Sequence, residues 1–337
     1  MAPILPPPSP RATVSLLRIR RGLLLAAGSI LAVALAGMLA AWEFYWRLPV
    51  GNGPAGPAVR REAFNSPWTT HPVLLVGLGD SVTAGFGASA GLSYFDRLVR
   101  NPPEEFPELK GICLATVLPQ LRVTNLAVSG STSLQHARGQ LPRLTPQPTN
   151  VLGIVVITTG GNDLIHDYGR SPPREGAMFG ASLEQARPWI RNFDQRLEGM
   201  IGELERRFPG GCHIFLANIY DPTDGVGSAR VVGLPGWPDG LAVLDAYNRV
   251  LAECAGRHRS VHLVDIRTPF LGHGLFCSQF WRAHYRKGDP TYWYLDNLED
   301  PNDRGYDALR RLFLNAMAEV LQPQPNSAAL APGRPGS

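Results

Sequence analysis

In this 337-residue chain the residue best placed for chemistry is a serine at the end of an apolar run. Val73-Leu74-Leu75-Val76 leads into Gly77-Leu78-Gly79-Asp80-Ser81-Val82-Thr83-Ala84-Gly85-Phe86-Gly87, so Ser81 stands where a buried strand stops and a glycine-rich turn begins. A nucleophile would sit there. A serine hydroxyl attacks a carbonyl only if a base takes its proton and fixed donors receive the charge that develops on the carbonyl oxygen. Those partners have to come from downstream.

The elements that would position them alternate between apolar runs and amphipathic stretches, the pattern of a parallel sheet covered by helices on both faces. Strands are expected over 71–78, 121–126, 151–158, 212–219 and 261–266, and helices over 93–100, 183–207, 241–257 and 304–321. Trp189, Ile190, Phe193, Leu197, Ile201 and Leu204 recur at helical spacing, so the second of these helices should lay one face on the sheet. The fold class is thus α/β, three layers around a mainly parallel five-stranded sheet of flavodoxin-like form. Ligands of such sheets collect at the carboxyl ends of the strands. Two further blocks fall at such ends: Asn125-Leu126-Ala127-Val128-Ser129-Gly130-Ser131-Thr132-Ser133 and Thr158-Thr159-Gly160-Gly161-Asn162-Asp163-Leu164.

Together with Gly79-Asp80-Ser81, these two segments resemble the first three sequence blocks of the SGNH/GDSL hydrolase superfamily, in the same order, and the resemblance extends over about residues 71–321. It implies a serine esterase or acylhydrolase that works through an acyl-enzyme, without metal or cofactor. It also implies roles: Ser81 as nucleophile, and its own N–H, the Gly130 N–H and the Asn162 side-chain amide as the oxyanion hole. The residue types suit those tasks, since glycine brings a backbone N–H close to a substrate and an Asn amide is a neutral donor. Asp80 and Asp163 read as loop-holding residues.

The last block departs from the family. Its usual form is Asp-x-x-His-Pro-Asn followed by a Gly and a helix, whereas this chain has Asn297-Leu298-Glu299-Asp300-Pro301-Asn302-Asp303-Arg304-Gly305. Asp300 occupies the histidine's place and Asn297 that of its orienting aspartate. A base from elsewhere would be His273, which follows the fifth strand between Gly272 and Gly274, or else His166 or His284, with Asp265, Asp289 or Asp296 to orient it. Glu299 or Asp300 could also stand in, although an ordinary carboxylate with a pKa of about 4 is a weak base for a serine. A third reading is a domain that has lost hydrolysis and serves as a binding module, and a fourth is acyl transfer to an envelope glycan. Ile219-Tyr220-Asp221-Pro222-Thr223-Asp224-Gly225 lies near the same edge, where it shapes the substrate pocket or, the preferred reading, makes a plain Asp-Pro turn. Tyr292, Trp293 and Tyr294 line a pocket or pack the last helix.

The formal net charge is +4, but Arg11, Arg18, Arg20 and Arg21 account for it and the remainder is near neutral. No basic stripe interleaved with aromatics points to nucleic acid. Gly22 to Trp42 carries no charge, and this length suits a bilayer-crossing helix. The expected organisation is a cytoplasmic basic tail (1–21), a transmembrane anchor or uncleaved signal (22–42), a Pro/Gly-rich linker (43–70), the hydrolase-like domain (71–322) and a disordered tail (323–337). Arginines ahead of the span and none directly after it place the domain outside the cytoplasm. A cleaved signal is the alternative, because Ala34-Leu35-Ala36 resembles a cleavage site. The expected partners are the membrane, through this helix, and a small-molecule, lipid or glycan ester. Cys113, Cys212, Cys254 and Cys277 lack metal-ligand spacing, so no metal is expected, while one or two disulfides remain open.

Overall fold

The computed structural model describes residues 10–323, so the first nine residues of the expected basic tail and nearly all of the expected C-terminal tail lie outside the described residues. The chain forms two units that divide after Arg47. In the first, helix α1 (Pro10–Ala41) is built from Leu, Ala and Val without a charge after Arg21. The stretch Arg20–Trp46 is long and apolar enough to cross a membrane.

The second unit holds a sheet of five strands, β1 (Val73–Gly79), β2 (Leu121–Asn125), β3 (Leu152–Thr158), β4 (Cys212–Ala217) and β5 (Val261–Val264), all parallel in the order β2-β1-β3-β4-β5. Side chains alternate across a strand, which divides the interior into two cores. Val73, Leu75, Ile154, Val156, Phe215 and Val264 face one core, and Leu74, Val76, Val155, Ile157, Ile214 and Leu216 face the other. Strands buried on both faces read as continuous apolar runs, as β1 and β3 do.

Beyond β1, helix α2 (Ser81–Ala84) makes a single turn, and α3 (Tyr94–Val99) covers the first core. The short α4 (Gly161–Ile165) follows β3. Helices α5 (Leu183–Arg207) and α6 (Gly240–Arg257) cover the second core, and α7 (Asp303–Leu321) returns to the first. Ser182 and Gln185 form a capping box at the start of α5, so the apolar period found in the sequence begins where its backbone donors are satisfied. Strand β5 stops earlier than expected because Ile266 and Arg267 donate their N–H groups to Asn218 Oδ1 instead of extending the ladder.

One expected boundary is corrected. Residues 48–70 are not a free spacer: Ala55, Ala63, Phe64 and Trp68 are buried in the first core. Tyr292 N–H donates to Pro49 O at 2.7 Å, and Ala55 N–H donates to Asp307 Oδ2 at 2.9 Å. The Pro and Gly residues that suggested a linker allow an extended strap to lie along α7. All four cysteines are buried free thiols, so the disulfides left open by the sequence do not form.

Candidate active site

Ser81 is held where β1 ends because Gly79 makes the close approach to β3. Gly79 has φ +133°, and a Cβ there would come within 2.1 Å of Thr158 O. Asp80 then caps α2, accepting from Val82 N–H at 3.2 Å and from the Thr158 hydroxyl at 2.7 Å. Burial pushes the Asp80 carboxyl up to about 7, against the pull of those bonds, and the nearby Asp300 adds to the rise. This holding role matches the sequence expectation for Asp80.

The loop after β2 is braced from inside by residues that no motif suggests. Gln140 clamps the Gly79 backbone from both sides, its Oε1 accepting from Gly79 N–H at 2.9 Å and its Nε2 donating to Gly79 O at 2.7 Å. The Ser131 hydroxyl donates to Val128 O at 2.6 Å, and the buried His136 bridges Ser131 Oγ and Thr159 Oγ1, each at 2.9 Å. Burial lowers the His136 pKa to about 4, so the ring is neutral at pH 7. Neither residue lies at a strand end, and the separation of 61 positions between Gly79 and Gln140 hides the pairing from a linear reading. Gly130, in this loop, is exposed with φ +75°, a conformation that favours glycine.

Asn162, in the first turn of α4, points its amide across the same space. One of its amide hydrogens goes to Ser131 O at 3.0 Å, which fixes the side chain and leaves the other for a ligand. Asp163 Oδ1 accepts from Ser133 N–H at 3.0 Å, a loop-holding role like that of Asp80.

Opposite stands the segment that departs from the family pattern. Asp300 is buried, and its Oδ2 accepts from Asn297 Nδ2 at 2.7 Å. Its Oδ1 is buried without a formed hydrogen bond. Burial raises the Asp300 pKa, and the Ser81 hydroxyl and Asn297 amide counter that rise. Ser81 is thus within interaction range of the carboxyl but not aligned as a completed bond, which is common in catalytic pairs without substrate. Leu298, at φ +63°, turns the backbone so that Asn297 Oδ1 accepts from the N–H groups of Glu299 and Asp300. The Tyr220 hydroxyl donates to Glu299 O from beneath, and Asn302 caps α7 through its bonds from Arg304 and Gly305 N–H.

The histidine ranked first from the sequence is elsewhere. His273 is buried, its ring stacked on Trp293 at a centroid distance of 3.4 Å, and it is not among the residues lining the cavity beside Ser81. Its Nδ1 lies 2.9 Å from Thr291 O and must therefore carry the proton. Burial lowers its pKa to about 4. The glycines around it serve Asp224, whose carboxylate accepts from the N–H groups of Gly272, Gly274 and Phe276. His284 is exposed and packs against Gly225, and His166 lies by Asp167 at 3.7 Å. Glu299 and Tyr168 do line the cavity, and burial raises the Glu299 pKa. Asp265 and Asp289 serve other partners, bonding Asn218 and Arg304. Tyr220 lines the cavity, whereas the buried Tyr292, Trp293 and Tyr294 pack in the first core.

The cavity holds about 160 Å³ and is lined by Asp80, Ser81, Asn162, Asn218, Asp221 and Glu299 together with a larger apolar set that includes Ile219, Leu234, Trp237, Leu241 and Leu244. A hydroxyl beside a buried carboxyl, with an amide donor across an apolar cleft, is chemically equipped to attack a carbonyl and hold the resulting oxyanion. Among the described residues one group could hold a metal, Glu198 with Cys254 and His258, none of which lines the cavity. The Glu198 carboxylate already takes His258 Nε2 at 2.7 Å and Arg257 Nε at 2.8 Å.

The profile of the GDSL-like lipase/acylhydrolase family matches residues 78–308. An extracellular lipase from Streptomyces rimosus aligns in structure over 72% of this chain and 99% of its own, with 21% identity and a TM-score of 0.48. A phospholipase A1 from Streptomyces albidoflavus NA297 aligns over 74% and 99%, with 18% identity and a TM-score of 0.45. An acetyl xylan esterase from Geobacillus stearothermophilus aligns over 76% and 97%, with 17% identity and a TM-score of 0.46. Among curated proteins, none matches this chain.

Proposed function

Since the chain belongs to the GDSL-like lipase/acylhydrolase family and is an ester-bond hydrolase, we propose that it is a membrane-anchored, exported esterase that cleaves carboxylic esters of apolar acyl groups through an acyl-enzyme on Ser81. The observation that carries this reading is the position of Ser81 in a cleft whose lining is mainly apolar. An acyl chain would lie toward Trp237, Leu241 and Leu244, and its carbonyl carbon would meet Ser81 Oγ. As the tetrahedral intermediate forms, the Ser81 and Gly130 N–H groups and the free amide hydrogen of Asn162 receive the oxyanion. The alcohol leaves, and water then releases the acid. The charge-free part of α1 after Arg21, with the helix's arginines all ahead of it, supports anchoring with the catalytic unit outside the cytoplasm.

The test is hydrolysis of p-nitrophenyl esters from acetyl to octanoyl by the detergent-solubilised full chain and by Ser81→Ala. We expect kcat/KM to rise with chain length by up to about fourfold per methylene, the equivalent of about 0.8 kcal/mol of burial, until the cleft is full. Ser81→Ala should lower kcat by about 1000-fold or more. Equal rates for the two proteins on every ester would sink the reading, and acyl groups recovered on an added glycan in place of free acid would redirect it to transfer.

A further inference from the structure

A serine esterase needs a group that takes the serine proton and returns it to the leaving alcohol. None of the cavity-lining residues is a histidine. What the fold brings to Ser81 instead are carboxyls: Asp80, Asp221 and Glu299 line the cavity, and Asp300, next to Glu299, interacts with the Ser81 hydroxyl and has unequal surroundings. Asp300 Oδ2 is tied to Asn297 Nδ2 at 2.7 Å, while Oδ1 is buried, unbonded and part of a carboxyl that feels the Ser81 hydroxyl. We propose that Asp300 is the general base and general acid of the Ser81 reaction, and that Asn297 is its positioning residue. This rests on the reading of Ser81 as nucleophile.

The two residues suit each other chemically. A carboxylate base offers only acceptor atoms, so the group that orients it has to be a donor. The Asn297 amide is one, while an aspartate there would repel it. Asn297 is itself fixed by the turn in which its Oδ1 accepts from Glu299 and Asp300 N–H, so the amide and the carboxyl move as one piece. Leu295 N–H donating to Asp300 O at 2.8 Å, and Tyr220 donating to Glu299 O, hold that piece on the aromatic floor. An exposed carboxylate would be too weak a base, but this one is buried, and the titratable groups that sense it are acids and phenols: Asp80, Glu299, Tyr168, Tyr220 and Tyr306. Their lack of positive charge keeps the proton's affinity for the site high.

The proton inventory closes. As Ser81 Oγ bonds to the carbonyl carbon, its proton passes to Asp300 Oδ1. When the carbon–alkoxy bond breaks, Asp300 returns that proton to the departing alcohol. In the second half a water gives a proton to Asp300 as its oxygen attacks the acyl carbon, and Asp300 reprotonates Ser81 as the acid leaves.

The experiment uses the detergent-solubilised full chain with p-nitrophenyl butyrate, fluorophosphonate labelling of Ser81 and thermal melting. Variants are Asp300→Asn, Asp300→Gly and Asn297→Ala, with Ser81→Ala as the control. Asp300→Asn should lower kcat by about 100-fold or more, and added formate should restore part of the activity of Asp300→Gly. Wild-type kcat/KM should fall on acidification as the base protonates. Asn297→Ala removes a bond to the ionised carboxyl, so that acid limb should move to higher pH, a change that a merely structural role would not produce. The proposal is overturned if Asp300→Asn retains activity within threefold of wild type while Ser81→Ala abolishes it, or if Asn297→Ala leaves the limb in place. If wild type shows neither Ser81-dependent turnover nor labelling, the nucleophile reading fails first and this one with it.

Discussion

The two sides of the cleft are built by different means. On the side of β1, β2 and β3, short strand-end segments set Ser81, Gly130 and Asn162, and interior side chains brace their backbone: Gln140 on Gly79, and His136 between Ser131 and Thr159. On the side of residues 270–305 there is no strand to supply a frame. Aromatic packing does it instead, with Tyr220 stacked on Phe270, Phe270 edge-on to Trp293 and His273 stacked on Trp293. The first side depends on strand register and on glycine at defined positions, and it keeps the family's residues. The second depends on packing, which tolerates an exchange of chemistry at 297 and 300 provided that the loop keeps its shape. Backbone-built geometry is conveyed by local motifs, and packing-built geometry is not.

Breaking the first side at its donor should have the larger effect. Asn162→Ala removes the amide aimed into the cleft, and we expect kcat to drop by about 100- to 1000-fold with little change in KM. Steady-state kinetics on the butyrate ester measure this, and a loss carried by KM alone would contradict an oxyanion role. Tyr220→Phe sharpens the comparison on the other side, since it deletes only the bond that supports Glu299 O. A net hydrogen bond contributes about 1 kcal/mol, so roughly a fivefold decrease in kcat is expected if that bond fixes the loop in the reacting geometry. An unchanged kcat with a lowered melting temperature would show that it supports stability alone.

His273→Ala is the smallest catalytic change and the most direct contrast between the two sides. It should leave kcat within about twofold of wild type, yet lower stability by about 1–3 kcal/mol through loss of the stack on Trp293 and the bond to Thr291. That stability cost should depend on pH. The His273 pKa falls from 6.5 in the unfolded chain to about 4 when folded, so the folded protein holds the ring neutral. The contribution is therefore present above about pH 6.5 and is lost as pH falls toward 4. Melting of wild type and variant across that window should show the gap between them narrowing. A gap that widens would mean that the imidazole is charged in the fold.

How much of this was legible before folding follows from the same contrast. The apolar runs at 73–76 and 152–157 announce strands because both faces of a central parallel strand are buried, and the serine, glycine and asparagine blocks follow because each lies within a few residues of a strand end. The strap over 48–70 was not legible. Its Pro and Gly content is that of a linker, and only α7, some 250 residues away in sequence, provides the surface that buries Ala55. His273 looked well placed because it follows β5 between glycines, but those glycines exist to let Asp224 gather three backbone donors. Nothing local distinguishes the two uses.

The sequence by itself determined the fold class, the family and the strand-end placement of Ser81, Gly130 and Asn162, because periodic burial and strand-end turns are short-range constraints written into consecutive residues. Which of the candidate bases named from the sequence comes near Ser81 was decided only by the tertiary structure. Asp300, 219 positions further along the chain, reaches it because the 297–302 turn folds against Tyr220 and the α7 cap. Its burial, the donor beside it and the neutral histidines elsewhere are properties of neighbours that meet only when the chain is folded.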